Sequence, residues 1–455
     1  MLLLSRTLSA AIPTRRAGQS FNLRNEVGIP GDCFRTKIRQ KSRPANVTKS
    51  VSSPEKARRL VMDYDVVVVG ARCAGASVAL LLARQGRSVL LVDRASFPAD
   101  TMSTLYIQHP GVVRLAQWGM LDDVVASGCP PLGTISHDVD GLSLIAATPA
   151  KDGVNAAYAP RRYILDDLLI RAAVSAGAEF SDRTSVLELI WHDERVAGVR
   201  LRSGNSTTSV SARLVIGADG MRSKVAELVQ APILRSAPIA SCVYYTFWQG
   251  LRTGFGFHER VGRWIARIPT HDDLTIVAAY LPQSEFSVVR RDPQRAYLSA
   301  IESTAPDLYE QIMALDRVDR WWGTGDQRNY FRKSHGPGWA LTGDAAHHLD
   351  SISARGITNA LIQADLLTDS ISGVDVGNSV AVDEAMVHFA LSTGAVLEEP
   401  YMSTLALAKL QPTKSRLRML HAIANSPELT SRYFGLVSGA IGMREFMSAE
   451  LVDLL

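Results

Sequence analysis

The chain has 455 residues, 46% of them hydrophobic, so it can bury more than one core and two structural regions with appendages are expected. Its four cysteines, at 33, 73, 129 and 242, are too few and too scattered for a disulfide framework or a zinc site, and no run of about 18 apolar residues marks a transmembrane helix. The net charge of +4 is unevenly placed: residues 1–60 carry thirteen Lys/Arg against three acids, leaving 36 against 42 for the rest, which removes the composition argument for nucleic-acid binding.

Residues 1–61 are rich in Arg and Ser, poor in acids and without sustained periodicity, and are expected to be disordered. That composition suits an organelle-targeting segment. The alternative, which we favour, is that Met62 is the working start of a cytoplasmic protein in a reducing compartment.

From Tyr64 to Asp93 the sequence reads as strand, tight turn, helix and second strand. Four consecutive valines, 66–69, suit a strand buried on both faces of a parallel sheet. Gly70 makes the turn that leaves it. Gly75 lets the next helix pack close, and that helix's free N–H groups and dipole favour a pyrophosphate. Asp93 closes the second strand 23 residues after Gly70, where a carboxylate accepts from a ribose hydroxyl. One position departs from G-x-G-x-x-G: its middle glycine is Arg72, which crowds the approach to a phosphate unless the side chain points outward.

The polar stretch Arg94–Pro110 reads as a functional loop returning over a nucleotide, followed by a helix from about Gly111 to Gly119. Arg94, Ser103, Thr104, Tyr106, Gln108 and His109 are its candidate site residues. Residues 133–160 read as strands. Helical spacing over 161–173 opens with Arg161 and Arg162, either both in solvent or one aimed at a phosphate or ring edge.

Two strand-like runs span 186–202. A buried strand from Leu214 then stops at Asp219-Gly220, with Ser223 opening a helix. This places a carboxylate at the carboxyl end of a strand, where doubly wound sheets bind ligands. Residues 238–285 turn aromatic and β-branched, as in an antiparallel sheet lining a pocket, with Trp248, Phe255, Phe257 and Trp264 as candidate walls or core. Helical spacing covers 293–314. A short strand ends at Gly343-Asp344, and a small-residue loop enters a helix from about Gly356 to Ile371, whose first N–H groups favour negative charge on an electron-rich ring. His347 and His348 have no metal-ligand spacing. The rest, about 380–455, reads as helical.

With the glycine loop 70–75 and Asp93, Asp219-Gly220 with Ser223, and Gly343-Asp344 in this order, the chain resembles the single-component aromatic hydroxylases of the p-hydroxybenzoate hydroxylase type. The geranylgeranyl-reductase-like flavoproteins are close relatives of that family, and the likeness spans about 63–371. It implies an α/β fold: a discontinuous Rossmann-like FAD-binding domain (62–132, 161–237, 330–375), an antiparallel substrate domain (133–160, 238–329) and a C-terminal helical region (376–455). It also implies FAD, with Asp93 on the adenosine ribose, Arg162 near the flavin, Asp344 on the ribityl chain, and the Asp-Gly segment serving a transient NAD(P)H. Besides Arg72, two residues depart from the family pattern at the ring-side loop: Ser351 stands for a proline and Ala354 for the first glycine.

The reaction implied is hydroxylation or epoxidation of a small apolar or aromatic substrate. NAD(P)H reduces FAD, molecular oxygen adds to the reduced ring, and the resulting flavin peroxide delivers one oxygen atom. The alternatives are a geranylgeranyl-reductase-like reductase or dehydrogenase, and a flavoprotein that uses FAD without redox change to shape a substrate for cyclisation. A halogenase is disfavoured. Trp264–Pro269 matches W-x-W-x-I-P only in part, because Ala266 replaces the second tryptophan, and no lysine lies between 62 and 150 to relay halide.

Overall fold

The valine run forms strand β1 (Tyr64–Val69), in which Val66, Val67 and Val68 are fully buried. The computed structural model describes residues 63–447 and 451, which belong to one compact unit; the basic leader lies outside the described residues. Strand β1 pairs in parallel with β2 (Val89–Val92) on one side and with Ser206–Gly217 on the other. Trp339–Leu341 extends the sheet beyond Ser206–Gly217, and Glu179–Ser181 extends it beyond β2, again in parallel.

Alternation divides this uniformly apolar sheet between two cores. Val66, Val68, Leu91, Leu214 and Ile216 pack with helix α1 (Cys73–Arg84), with Arg162–Ser175 and with Gly356–Ser370. Val67, Val69, Leu90, Val92 and Val215 pack against the antiparallel hairpin Thr184–His192 and Arg195–Ser203. The valine run 66–69 hides this period-2 division because both faces are covered.

The second sheet has seven strands, in the order Trp322–Thr324, Ser241–Gln249, Leu274–Pro282, Arg263–Pro269, Phe255–Arg260, Thr134–Val139, Leu142–Ala147. Its pairs are antiparallel except Phe255–Arg260 with Thr134–Val139. One face rests on helices Pro293–Thr304 and Pro306–Met313. The other carries Tyr245, Phe247, Phe257 and Trp264, and is covered by the C-terminal helices Lys414–Ala424 and Pro427–Val437. Leu420, Ile423, Leu429 and Phe434 in that cover are fully buried, and each contributes about 1.5–3 kcal/mol of apolar burial.

A three-stranded sheet of Ile233–Ala237, Asn329–Arg332 and His347–His348 joins the two regions beside the Gly343-Asp344 element. Among the described residues one helix, Ser379–Leu407, is long and apolar enough to cross a membrane by length and composition. It packs Val382, Met386, Phe389, Leu397 and Tyr401 inward, and its Asp383 and Glu398 pair with Arg195 and Arg235.

Candidate functional site

Strand register builds the site. Val69 is level with Val92 and Gly217, and Gly217 with Leu341, so four parallel strands end on one line. The residues that follow, Gly70, Asp93, Ala218-Asp219-Gly220 and Gly343-Asp344, are therefore brought together at their carboxyl ends. Gly70 has φ +103, and a Cβ there would sit 2.4 Å from the Ala218 carbonyl oxygen. A Cβ on Gly75 would sit 1.7 Å from the Gly70 oxygen, so only glycine allows this helix–strand approach. Gly343 packs against Ala74 of α1. A cavity of about 900 Å³ opens here, lined by Gly70, Arg72, Asp93, Arg94, Ser103, Thr104, Tyr106, Arg162, Asp219, Gly220, Asp344 and Gly356 among others.

At one end, Asp93 accepts from the Ala71 and Ala95 N–H groups at 2.8 and 2.7 Å, tying the glycine loop to the end of β2. Arg72 and Arg162 both pair with the fully buried Asp166. Arg161, by contrast, pairs with Asp100 and lies over the Phe247 ring, outside the cavity. The Asp344 carboxylate makes no hydrogen bond within the described residues and stands as a ready acceptor in the wall. Asp219 lines the cavity, but its carboxylate accepts from Ser223 Oγ and from the Lys224 and Val225 N–H groups, so it is committed to starting helix Lys224–Leu228.

The other end is built by the loop into Gly356–Ser370. Asp350 is buried, accepts from Ser241 Oγ and the Ile352 N–H, and burial pushes its pKa up to about 6. Ser351 donates from both N–H and Oγ to Gln327 Oε1, a bond a proline nitrogen could not make, and it accepts from Tyr280 Oη. Ala354 takes φ +51, the left-handed conformation that favours glycine. Tyr106 stacks on Phe255 at 4.5 Å with its hydroxyl unpartnered, and burial raises its pKa. Both His347 ring nitrogens are unpartnered, burial lowers its pKa to about 3, and Asn359 Oδ1 is likewise unpartnered.

Three expected wall residues lie elsewhere. Trp248 points to the opposite face of its strand and donates to Tyr297 Oη at 3.0 Å; alternation gives that face to Tyr244 and Trp248 and the other to Val243 and Tyr245. Trp264 is on the cavity-side face, but Phe257, His137 and the C-terminal helices enclose it. His109 opens helix α2 (His109–Gln117) and its Nε2 bonds the Lys151 carbonyl. Phe255 and Phe257 are core under the same cover. The observed wall instead uses Val243, Tyr245 and Gln327, and Tyr245 Oη accepts from the Ser103 N–H at 2.8 Å. Strand parity groups Val243 with Tyr245 without saying which face meets the cavity, and nothing local in the sequence marks Gln327.

Residues 63–374 match the family model for the FAD binding domain. The chain belongs to that family. By family and fold it is an FAD-dependent oxidoreductase. It is 25% identical over 336 residues to digeranylgeranylglycerophospholipid reductase 1 of Methanococcoides burtonii, covering 70% of this chain and 77% of that one. The structure of the flavin-dependent brominase Bmp2 superposes with a TM-score of 0.73 at 18% identity, covering 86% of this chain and 97% of that one. PqsL of Pseudomonas aeruginosa, described as a probable FAD-dependent monooxygenase, gives 0.63 at 20% identity, over 82% and 98%. Both likenesses speak for the fold.

The residues fit FAD. Two helix starts border one cavity, and the Cys73, Ala74 and Gly75 N–H groups at one, with Gly356, Ile357 and Thr358 at the other, have no backbone partner. The orphaned Tyr106, His347 and Asn359 add buried polar atoms that a ligand would satisfy.

Proposed function

We propose that this oxidoreductase binds FAD across the cavity, takes electrons from NADH or NADPH, and inserts one atom of molecular oxygen into a small apolar or aromatic molecule, by hydroxylation or epoxidation. The observation that supports this most is the composition of the ring-side wall. Val243, Tyr245 and Tyr106 offer apolar and aromatic surface in the same cavity as the free N–H groups of Gly356 and Ile357. Bound FAD would supply the electron transfer and oxygen activation.

The chain's own residues supply the rest. Asp344 would accept from ribityl hydroxyls. The start of Gly356–Ser370 would favour negative charge on the ring. The aromatic wall would keep that region dry, and a neutral His347 would offer one donor and one acceptor without adding charge. Among the described residues, Cys73, Cys129 and Cys242 are buried free thiols, which suits a reducing compartment such as the cytoplasm.

A second reading, reduction of a polyprenyl-like substrate without oxygen, is supported by the reductase relative and by the altered ring-side loop at Ser351 and Ala354. The sequence argument against halogenation, from Ala266 and the lysine-free stretch 62–150, is unchanged by the brominase likeness. Turnover separates the readings. Oxygen-dependent NAD(P)H consumption with an added oxygen mass supports monooxygenation. Product formed anaerobically replaces it with the reductase, and product formed without flavin redox change replaces it with cyclisation.

A further inference from the structure

We propose that Arg72, standing in place of the middle loop glycine, forms with Arg162 a two-guanidinium clamp for the diphosphate of the bound dinucleotide, with Asp166 as the positioning residue that holds both. This rests on the FAD reading above. The backbone at Arg72 is extended, φ −87 and ψ −169, and carries the side chain away from the turn. Its Nη1 donates to Asp166 Oδ2 at 2.8 Å and to the Ala99 carbonyl at 3.2 Å. Arg162 meets the same carboxylate from its own helix, with Nη2 at 3.0 and 3.1 Å from the two oxygens and Nε at 3.2 Å from Oδ1. The side chain that should crowd a phosphate is thus drawn aside, and the space a glycine would leave stays open.

The charge count points to an anion. Two guanidinium groups share one carboxylate, and among the described residues neither has another acid within ion-pair distance. Asp166 is fully buried, Arg162 is 8% exposed and the Arg72 side chain 28%. One positive charge is therefore left without a carboxylate of its own, with only the Phe97 ring, 5.4 Å from the Arg72 guanidinium carbon, beside it, and an anion would complete the set. Asp344, the next acid whose field reaches Arg162, is the residue assigned to sugar hydroxyls.

The donor count points the same way. Arg72 keeps Nε and Nη2, and Arg162 keeps Nη1, without hydrogen bonds, and both residues line the cavity. Beside them the first N–H groups of the twelve-residue α1 are also unpaired, and its dipole adds to the same potential. An ion pair serving only as a staple would need a single guanidinium for its carboxylate. The second makes the site one that prefers a diphosphate-bearing flavin to riboflavin, which lacks any phosphate.

The test titrates the full-length wild type, Arg72→Gly and Arg72→Lys with FAD and with riboflavin at low and high salt, alongside a thermal melt of each. Arg72→Gly should lose FAD affinity by about tenfold or more, keep its riboflavin affinity and show a flatter salt dependence. Arg72→Lys, which keeps the charge but not the fork, should fall between and supplies the result if the glycine variant does not fold. FAD affinity and salt dependence unchanged in both variants would overturn the clamp. So would equal losses of FAD and riboflavin, which would make Arg72 a staple. Wild-type protein that takes neither flavin would overturn the cofactor reading itself, and the clamp with it.

Discussion

Replacing Asp350 with Asn should stabilise the protein by an amount that grows with pH. The carboxyl is 1% exposed on the loop into Gly356–Ser370, accepts from Ser241 Oγ at 2.8 Å and the Ile352 N–H at 3.0 Å, and burial raises its pKa from the ordinary 3.8 to about 6. Because the folded value lies above the unfolded one, the folded state holds the proton more tightly. That stability is complete below about pH 4 and lost as pH rises through about 6. A gap of about two units corresponds to about 3 kcal/mol once the group is fully ionised. Asn keeps the shape and cannot ionise. The stability difference between variant and wild type should therefore grow by about 2 kcal/mol from about pH 4.5 to about pH 7.5. Urea titrations of both proteins across that range, followed by tryptophan fluorescence, read it directly. A difference that does not change with pH, or a variant less stable than wild type at the upper end, would refute the reasoning and mark the ionised carboxylate as the form the loop needs.

Other substitutions separate cavity from core. Asp344→Ala should weaken FAD binding by about 10- to 100-fold, since a charged hydrogen bond contributes about 1.5–3 kcal/mol, and should leave the fold intact because this carboxylate bonds no group among the described residues; flavin fluorescence titration with a thermal melt checks both. Trp248→Phe should cost about 1 kcal/mol in chemical denaturation for the lost bond to Tyr297, with FAD affinity unchanged, because the indole faces away from the cavity. Leu420→Ala should cost about 2–5 kcal/mol by the same measurement, since the fully buried side chain sits in the cover over the aromatic sheet face.

The strand–turn–helix–strand unit was legible because its signals are local: a valine run, a glycine where φ is +103, and an acid at the end of β2. The convergence with Asp219 and Asp344 was legible from the shared pattern of a buried strand stopping at a Gly/Asp pair, and register carries it out. Tertiary facts were not. The run 241–249 is buried on both faces, so its aromatic residues do not reveal which side meets the cavity, and Trp248 and Tyr245 part company by parity alone. The enclosure of Trp264 depends on helices more than 140 residues later, which no local window contains. Asp219 was readable as a carboxylate at a strand end. Its use by Ser223 and two backbone N–H groups became visible only once the turn was built.

The absorbance spectrum of the purified chain after incubation with FAD and removal of excess bears most directly on the whole account. Yellow protein with the two visible flavin bands and one FAD per chain is the expected result. Protein that stays colourless after reconstitution would contradict the assignment of this cavity to the flavin.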